Sequence, residues 1–191
     1  MRIVQDILIF RSGIMAFVGL HTPLSEDEVR SLRAGMRVLI TGVLYTARDM
    51  AHSRMVEAIS SGEPPPFDLE GQIIYYVGPT PPRPKFPIGS AGPTTSSRMD
   101  PYTPKLLALG LRGTMGKGER GKEVIEAMKR YGAVYFAAVG GAGALLARHI
   151  KDAELVAYPD LGPEAIYRLY VEEFPALIAQ DAWGRNIYRY P

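Results

Sequence analysis

The stretch Ala133-Val134-Tyr135-Phe136-Ala137-Ala138-Val139 is a continuous apolar run, and Gly140-Gly141-Ala142-Gly143-Ala144 follows it directly. An apolar run of this length predicts a strand that is covered on both faces, as in a parallel sheet. The glycines predict a turn into a helix that ends near Ile150. Their spacing differs from the G-x-G-x-x-G of dinucleotide-binding proteins, and no acidic residue follows at the required distance. We therefore interpret them as a place where helix and strand pack closely, in an α/β fold.

Strands and helices alternate on both sides of this run. Short β-branched and apolar stretches predict strands, and apolar positions at helical spacing between capping residues and glycines predict helices. The predicted strands are 36–45 with a bend at Gly42, 71–78, 133–139, 154–158, 165–174 and 176–188 with a turn at 181–184. The predicted helices run from Asp49 to Gly62, from Pro101 with Asp100 as its cap to Gly110, and from Glu123 to Gly132. This order predicts a mixed sheet flanked by helices.

The composition is typical of a globular protein and limits the chemistry that the chain can perform. The chain has 191 residues, of which 47% are hydrophobic and 22% are charged. Its net charge of +2 does not favour binding to nucleic acid or to a membrane surface. Without cysteine, the chain forms no disulfide and cannot ligate an iron–sulfur cluster through thiolates. With three histidines, a histidine metal site is not expected either.

Length and hydropathy favour a single cytoplasmic domain. No stretch of the chain approaches the roughly 20 apolar residues of a membrane helix. Residues 1–11 include Asp6 and lack the small-residue cleavage site of a signal peptide. We treat residues 1–14 as an N-terminal extension of uncertain role and residues 15–191 as one domain.

The stretch Gly89-Ser90-Ala91-Gly92-Pro93-Thr94-Thr95-Ser96-Ser97-Arg98-Met99-Asp100 has the composition of an anion-binding loop. Glycines let the backbone approach a ligand, hydroxyls and free N–H groups donate hydrogen bonds, and the helix predicted to start at Pro101 adds partial positive charge. Arg98 adds a planar guanidinium that matches a carboxylate or a phosphate. The alternative is a surface turn rich in Gly, Ser and Thr.

Two neighbouring loops add to this pattern. Residues 79–93 include six prolines, which exclude regular structure, and long loops inside a domain are usually functional; a domain linker is the alternative. Gly113-Thr114-Met115-Gly116-Lys117-Gly118 is a second glycine-rich loop, whose Lys117 can hold an anion as a point charge. It does not match a P-loop, because glycine follows the lysine where Ser or Thr is required.

The segment Thr46-Ala47-Arg48-Asp49-Met50-Ala51-His52 lies where a predicted strand leads into a helix. Arg48 precedes the predicted cap Asp49, so its guanidinium can share the space into which the free N–H groups of the helix point. His52 lies one turn further, where Asp49 could orient its ring and the helix end would disfavour its protonation. The alternatives are a satisfied or solvent-facing histidine and an aspartate that only caps the helix.

Together these segments resemble a known family. The motifs that carry the resemblance are Thr46–His52 as quoted above, Tyr76-Val77-Gly78-Pro79, the run from Gly89 to Met99, Gly116-Lys117-Gly118, Val139-Gly140-Gly141-Ala142 and Gly162-Pro163-Glu164-Ala165. In this order they are similar to class I, iron–sulfur-dependent fumarate hydratases. The resemblance covers nearly all of residues 20–188, in the C-terminal domain or in the separate β subunit of two-chain fumarases and L(+)-tartrate dehydratases.

The resemblance implies a fold, a reaction and a partner. The fold would be of the swivelling β/β/α type, and the reaction would be the reversible addition of water to a dicarboxylate double bond. A 4Fe-4S cluster would be held by a cysteine-containing α subunit in a hetero-oligomer such as two α and two β subunits. Its open iron would polarise the hydroxyl group. This chain would supply half of an active site.

The resemblance also implies roles for individual residues. Arg48 and Arg98 would hold the two carboxylates of the substrate, and Lys117 would add a third cation. Thr94 would be the base, although a threonine hydroxyl needs nearby cations or a relay to a carboxylate for this role. Thr95 and Ser96 could donate hydrogen bonds to the substrate instead. A tartrate dehydratase subunit, or a dicarboxylate or phosphate sensor without catalysis, would use the same residues.

Overall fold

The computed structural model describes residues 17–138 and 141–189, and these form seven strands and five α-helices. The predicted extension 1–14 and the predicted domain start at residue 15 lie outside the described residues, as do Val139 and Gly140 of the apolar run. The strands are β1 (Phe17–His21), β2 (Arg37–Thr46), β3 (Ile73–Tyr75), β4 (Gly113–Gly116), β5 (Val134–Ala137), β6 (Ile150–Ala157) and β7 (Ile166–Gln180). The helices are α1 (Glu26–Ser31), α2 (Asp49–Ser60), α3 (Thr103–Ala108), α4 (Lys122–Tyr131) and α5 (Gly143–Leu146).

The strands form one mixed sheet, as the sequence predicts. Strands β1 to β5 lie side by side in chain order and are parallel. Strand β7 is antiparallel to β5 and to β2, so the pairings from β2 through β5 to β7 return to β2. Strand β6 pairs with β7. The α/β class with flanking helices is confirmed, whereas the swivelling β/β/α type stays a prediction.

The apolar strands are covered on both faces. In β3 and the residue after it, Ile73 and Tyr75 belong to one buried apolar cluster, and Ile74 and Tyr76 belong to the other. This alternation follows from the two-residue repeat of a strand. Helices α2, α3 and α4 cover one face, and α1 and α5 contribute to the other. Burial on both faces is the reason that these strands are apolar at every position.

Glycines bend and end elements where the sequence predicts them. At Gly42, with φ 121°, the register of β2 against β7 shifts. Gly132, with φ 63°, ends α4 in the left-handed conformation that favours glycine. The turn after β7 is confirmed as well, since the Asp181 carboxylate accepts hydrogen bonds from the N–H groups of Trp183 and Arg185 at 3.0 Å each.

Several element predictions are wrong. Gly113–Gly116 is strand β4 and not a loop, because it pairs with β3 and β5 on both sides. The two last predicted strands are one strand, β7, that runs through Pro175 and ends at Gln180. Strand β1 and helix α1 were not predicted, although Ser25 and Glu28 form the capping box that starts α1.

Both predicted aspartate caps are also wrong. Helix α2 begins with Asp49 itself after Arg48, which makes no side-chain capping bond. Helix α3 starts at Thr103, two residues later than Pro101, and Asp100 instead accepts a 2.6 Å hydrogen bond from the N–H of Gly121 at the start of α4. In both places the carboxylate pairs with an arginine that lies far away in the sequence.

No helix within the described residues is long and apolar enough to cross a membrane.

Candidate functional site

The predicted site residues lie at the carboxyl ends of the parallel strands. Arg48 follows the end of β2, Gly78 follows β3, and Lys117 follows β4. Because parallel neighbours end at the same edge, the fold brings these positions together. The carboxyl ends of parallel strands are a common place for ligand sites in α/β folds.

The hydroxyl-rich segment Thr94–Ser96 returns to this edge and is hydrogen-bonded to it. The N–H of Thr94 donates to the Tyr76 carbonyl at 2.7 Å, and its carbonyl accepts from the N–H of Lys117 at 3.2 Å. The N–H of Ser96 donates to the Lys117 carbonyl at 2.9 Å, so Thr95 and Lys117 form a parallel bridge. The backbone of Lys117 therefore lies beside Thr95 and is hydrogen-bonded to the residues before and after it, Thr94 and Ser96. Thr94 is partly exposed, and Thr95 and Lys117 are exposed.

Ser96 faces the interior of the protein. It is fully buried, and its hydroxyl is 2.9 Å from the hydroxyl of Tyr135, which also donates to the Gly118 carbonyl at 2.8 Å. Burial raises the pKa of Tyr135, which keeps this phenol a hydrogen-bond donor. Ser96 thus anchors the segment from the interior, and its contact with the substrate stays a prediction that its burial does not favour.

Arg98 and Arg48 both reach the first turn of α2. Arg98 Nε donates to Asp49 Oδ1 at 2.8 Å, and Arg48 Nη2 lies 3.3 Å from Glu164 Oε1. The Arg98 side chain is 49% exposed and the Arg48 side chain 25%, so both remain accessible. Asp49 is therefore the counter-ion of Arg98 and not the helix cap. The two arginines approach the same helix end from different loops.

Behind the hydroxyl segment lies a buried arginine that the sequence did not single out. The Arg120 side chain is 0% exposed and donates to Asp100 Oδ1 at 2.7 Å. It also donates to three buried hydroxyls, at distances of 2.8–3.2 Å, namely those of Tyr76, Thr103 and Thr114. The guanidinium lies over the rings of Tyr76 and Tyr135, 5.3 and 5.2 Å from their centroids.

His52 is buried beneath this edge. Its Nδ1 lies 2.9 Å from the Arg48 carbonyl, which orients the ring by a backbone bond and not through Asp49 as predicted. Nε2 has no hydrogen-bond partner among the described residues. Burial lowers the pKa of His52 to about 4, with the Arg120 charge acting in the same direction. His52 is therefore neutral near pH 7, and its role as an acid or base stays a prediction that its burial does not favour.

The charges at this edge suit an anion. Four cationic side chains lie here, on Arg48, Arg98, Lys117 and Arg120, against the three carboxylates of Asp49, Asp100 and Glu164. The local excess is positive. Two unpartnered buried polar atoms, Arg48 Nε and Asp49 Oδ2, lie in the same turn. Such a site can hold a carboxylate through guanidinium and hydroxyl donors.

The chain's own residues do not fit an iron–sulfur cluster. The sequence has no cysteine, and the part of the chain that the structure describes holds no group of three His, Asp or Glu side chains placed for a metal ion. Cluster ligands would have to come from residues outside this sequence.

Sequence reasoning missed Glu164 and Arg120. Glu164 lies in the motif Gly162-Pro163-Glu164-Ala165, which by itself indicates no function for the glutamate. Arg120 follows Gly118 closely but belongs to no recognisable motif. Both act through partners that are distant in the sequence, which spacing cannot reveal. The sequence signal for Arg120 is its position two residues after Gly116-Lys117-Gly118. An arginine at such a position is too common to indicate a buried guanidinium.

Known proteins are similar in sequence to this chain over most of its length. The family described as the fumarase C-terminus matches residues 11–190. Fumarate hydratase 2 of Leishmania major is 38% identical over 175 residues, which are 90% of this chain and 31% of that protein. The anaerobic class I fumarate hydratase of Escherichia coli is 38% identical over 178 residues, or 90% of this chain and 32% of that protein. The chain thus spans about a third of the length of these relatives.

One similar protein has the size of this chain. It is a putative L(+)-tartrate dehydratase subunit beta of Methanocaldococcus jannaschii, 40% identical over 171 residues. The alignment covers 86% of this chain and 88% of that subunit.

Proposed function

We propose, from the fact that this chain belongs to the fumarase C-terminus family, that it is the β subunit of an iron–sulfur-dependent hydro-lyase. The reaction is the reversible hydration of fumarate to malate. The chain supplies the residues that bind the substrate carboxylates and exchange a proton. Activity requires a cysteine-containing α subunit, in a cytoplasmic hetero-oligomer. The swivelling β/β/α type remains the expected fold class.

The observation that carries the proposal is the meeting of three cations and a hydroxyl at one strand edge. Arg48, Arg98 and Lys117 lie on three separate segments, and Thr94 lies beside Lys117 through the hydrogen bond between their backbones. A dicarboxylate needs cations on separate loops to hold both of its ends. Fumarate is such a ligand, and the partly buried guanidinium of Arg48 would stabilise a carboxylate that has lost its water.

In this proposal Thr94 exchanges the proton at the carbon beside the one that carries the hydroxyl. Its backbone is held by hydrogen bonds to the backbones of Tyr76 and Lys117. The cations nearby favour the deprotonated form of a hydroxyl, and a carboxylate of the α subunit would complete the relay. Arg48 and Arg98 orient the diacid. Thr95 is exposed next to Thr94 and can donate a hydrogen bond to the diacid.

The α subunit would carry the 4Fe-4S cluster. When bound, the cluster would act as a Lewis acid toward the hydroxyl group. A related subunit of this size with the name of a tartrate dehydratase supports a separate β chain. It also makes L(+)-tartrate the second candidate substrate.

The first experiment is co-purification followed by an assay. We expect the full chain, expressed with its neighbouring genes and purified without oxygen, to bring a cysteine-rich partner and to convert fumarate to malate. Conversion of L(+)-tartrate and not of fumarate would assign the second candidate. Binding of fumarate by the chain alone, without a partner or turnover, would instead assign a non-catalytic dicarboxylate-binding module.

The arginines provide the sharper test. In the reconstituted complex, Arg48→Ala and Arg98→Ala should each lower kcat/KM by at least about tenfold, because each removes a charge that holds one carboxylate. Lys129→Ala is the matched control, since Lys129 is in the last turn of α4 at the opposite edge of the sheet. Near-normal turnover of either arginine variant would contradict the clamp.

A further inference from the structure

Glu164 makes one hydrogen bond and one ion pair at the start of α2 with a single carboxylate. Oε2 accepts a 3.1 Å hydrogen bond from the N–H of Met50, one of the free N–H groups of the helix, and Oε1 lies 3.3 Å from Arg48 Nη2. The Glu164 side chain is 22% exposed, so this pair is mostly shielded from water. The carboxylate thereby replaces the missing side-chain cap of the helix and restrains the arginine that precedes it.

Arg48 is also confined on its other side. A Cβ at Gly78 would lie 3.0 Å from Arg48 Nη1 and 3.4 Å from its Cδ. The Arg48 side chain therefore lies in space that a side chain at residue 78 would occupy. With Gly78 on one side and Glu164 at the tip, few rotamers of Arg48 remain.

The loop that carries Glu164 is itself attached to α2. Arg54 forms two hydrogen bonds of 2.8 Å with the Asp160 carboxylate and lies 5.0 Å from the ring centroid of Tyr158. On the other side of Glu164, the Ala165 carbonyl accepts a 3.2 Å bond from the buried Thr46 hydroxyl at the end of β2. Contacts before and after Glu164 thus fix its position relative to Arg48.

We infer that Glu164 is a positioning residue that orients the Arg48 guanidinium toward the substrate carboxylate. This rests on the proposed function, in which Arg48 binds that carboxylate. The ion pair with Glu164 is at Nη2, and the Arg48 side chain keeps 25% of its surface exposed, so part of the guanidinium can face a ligand. A carboxylate that only competed with the substrate would have the opposite effect, because its removal would strengthen substrate binding.

The first test uses the full chain without any ligand. Arginine side-chain NMR of the ¹⁵N-labelled protein reports rotation of each guanidinium, and Arg48→Lys identifies the Arg48 resonance. We expect restricted rotation of Arg48 in the wild type and faster rotation with a shifted resonance in Glu164→Gln and Glu164→Ala. Glu164→Gln is nearly isosteric and can still accept from Met50, so a folding defect in the alanine variant does not remove the test.

Glu126→Gln is the control at a distance from α2. It weakens the exposed pair with Lys129 in α4 and leaves the contacts of Glu164 unchanged, so the Arg48 resonance should keep its wild-type behaviour. An unchanged Arg48 resonance in both Glu164 variants would overturn the inference, whether or not the protein is a hydro-lyase.

The second test uses the reconstituted complex. For Glu164→Gln we expect KM for fumarate to rise about tenfold with a smaller fall in kcat, because a misplaced guanidinium loses binding first. A lower KM would show a competing counter-ion and overturn the inference. If the wild-type complex has no hydratase activity while the NMR result is as expected, the proposed function fails and the positioning of Arg48 by Glu164 stands.

Discussion

His52 is a neutral side chain in a cationic neighbourhood. Its ring is fully buried, and Tyr76 lies edge-on to it with 5.3 Å between the ring centroids. Nδ1 contacts the Arg48 carbonyl, so the ring supports the backbone that presents the Arg48 side chain. A charge on His52 would lack both water and a carboxylate partner. This explains why burial, more than the helix end, determines its protonation.

The stability of the protein should depend on pH through His52. Its pKa is about 4 when folded, below the ordinary value of 6.5, so the unfolded chain binds the proton more tightly and stability falls as the pH falls from about 6.5 to 4. Between about pH 7.5 and about pH 5 this costs about 2 kcal/mol. Urea unfolding at both values should show a smaller loss for His52→Gln than for the wild type.

Exposed His21 provides the control for this prediction. The variant His21→Gln should lose as much stability between the two pH values as the wild type does. An equal pH dependence in the wild type and in His52→Gln would mean that folding does not lower the pKa of His52.

Residue types predicted the edge better than they predicted its support. Arg48, Arg98, Lys117 and Thr94 stand out because cations and hydroxyls in glycine-rich loops or before a helix are typical of anion sites. Their counter-ions do not stand out, because a carboxylate near a helix start is equally a cap. For this reason the sequence predicts Asp49 as a cap. In the structure it pairs with Arg98, which reaches the turn from another loop.

At the scale of elements, Arg120 joins the segments that form the site. It contacts Tyr76 after β3, Thr114 in β4, Thr103 in α3, and Asp100 before α3. Asp100 in turn accepts from the first free N–H before α4. One guanidinium thus connects two strands with the starts of two helices. Its fixed fork of donors suits this position better than an ammonium group would.

Replacement of Arg120 should therefore be costly. Arg120→Met should lower the free energy of unfolding by about 3 kcal/mol, because it leaves Asp100 and buried hydroxyls without their partner. Arg120→Lys should cost less, since it keeps the charge but not the fork. The exposed residue Arg130 in α4 provides the control Arg130→Met, which should change the stability by less than about 0.5 kcal/mol in urea unfolding. Equal effects of the Arg120→Met and Arg130→Met variants would contradict this account.

Strand β4 packs so closely against the hydroxyl-rich segment Thr94–Ser96 that one added methyl group at Gly116 should push them apart. A Cβ at Gly116 would lie 2.1 Å from Ser96 Oγ and 3.0 Å from the Thr94 carbonyl. Gly116→Ala should therefore destabilise the protein by about 1–3 kcal/mol through overpacking. Removal of the nearer atom in Gly116→Ala with Ser96→Ala should cost less than the sum of the single changes. Strict additivity in a double-mutant cycle would contradict the contact.

The elements that the sequence predicts correctly are those whose pattern is local. Continuous apolar runs identify β2, β3 and β5, and the glycine after α4 identifies its end. Gly113–Gly116 was not recognisable as a strand, because its glycines serve close packing: a Cβ at Gly113 would lie 2.7 Å from Ile73. The length of β7 depends on its three partner strands, which are tertiary information.

At the scale of the whole molecule, β7 joins two of the parallel strands, β2 and β5, and so closes β2 to β5 into a ring. It pairs with β2 near the N-terminal part of the described chain and with β5 near its far side. Beyond β7, the Asp181 carboxylate accepts a 3.1 Å bond from the N–H of Ala34, which follows α1. The C-terminal turn is thereby fixed to the segment between α1 and β2. Such long-range closure favours unfolding as a single unit.

The single tryptophan reports on this closure. The Trp183 indole N–H donates to the Arg30 carbonyl at 3.0 Å, and the ring lies 5.8 and 5.6 Å from the guanidinium carbons of Arg30 and Arg33. We expect the urea transitions followed by tryptophan fluorescence and by far-ultraviolet circular dichroism to coincide, because the bonds of Asp181 and Trp183 hold the turn to α1 and to the residues after it. In Asp181→Ala, which removes the bonds that fix the turn, the fluorescence transition should come first. A fluorescence transition that already precedes the other in the wild type would mean that the C-terminal turn detaches independently and that β7 alone closes the sheet.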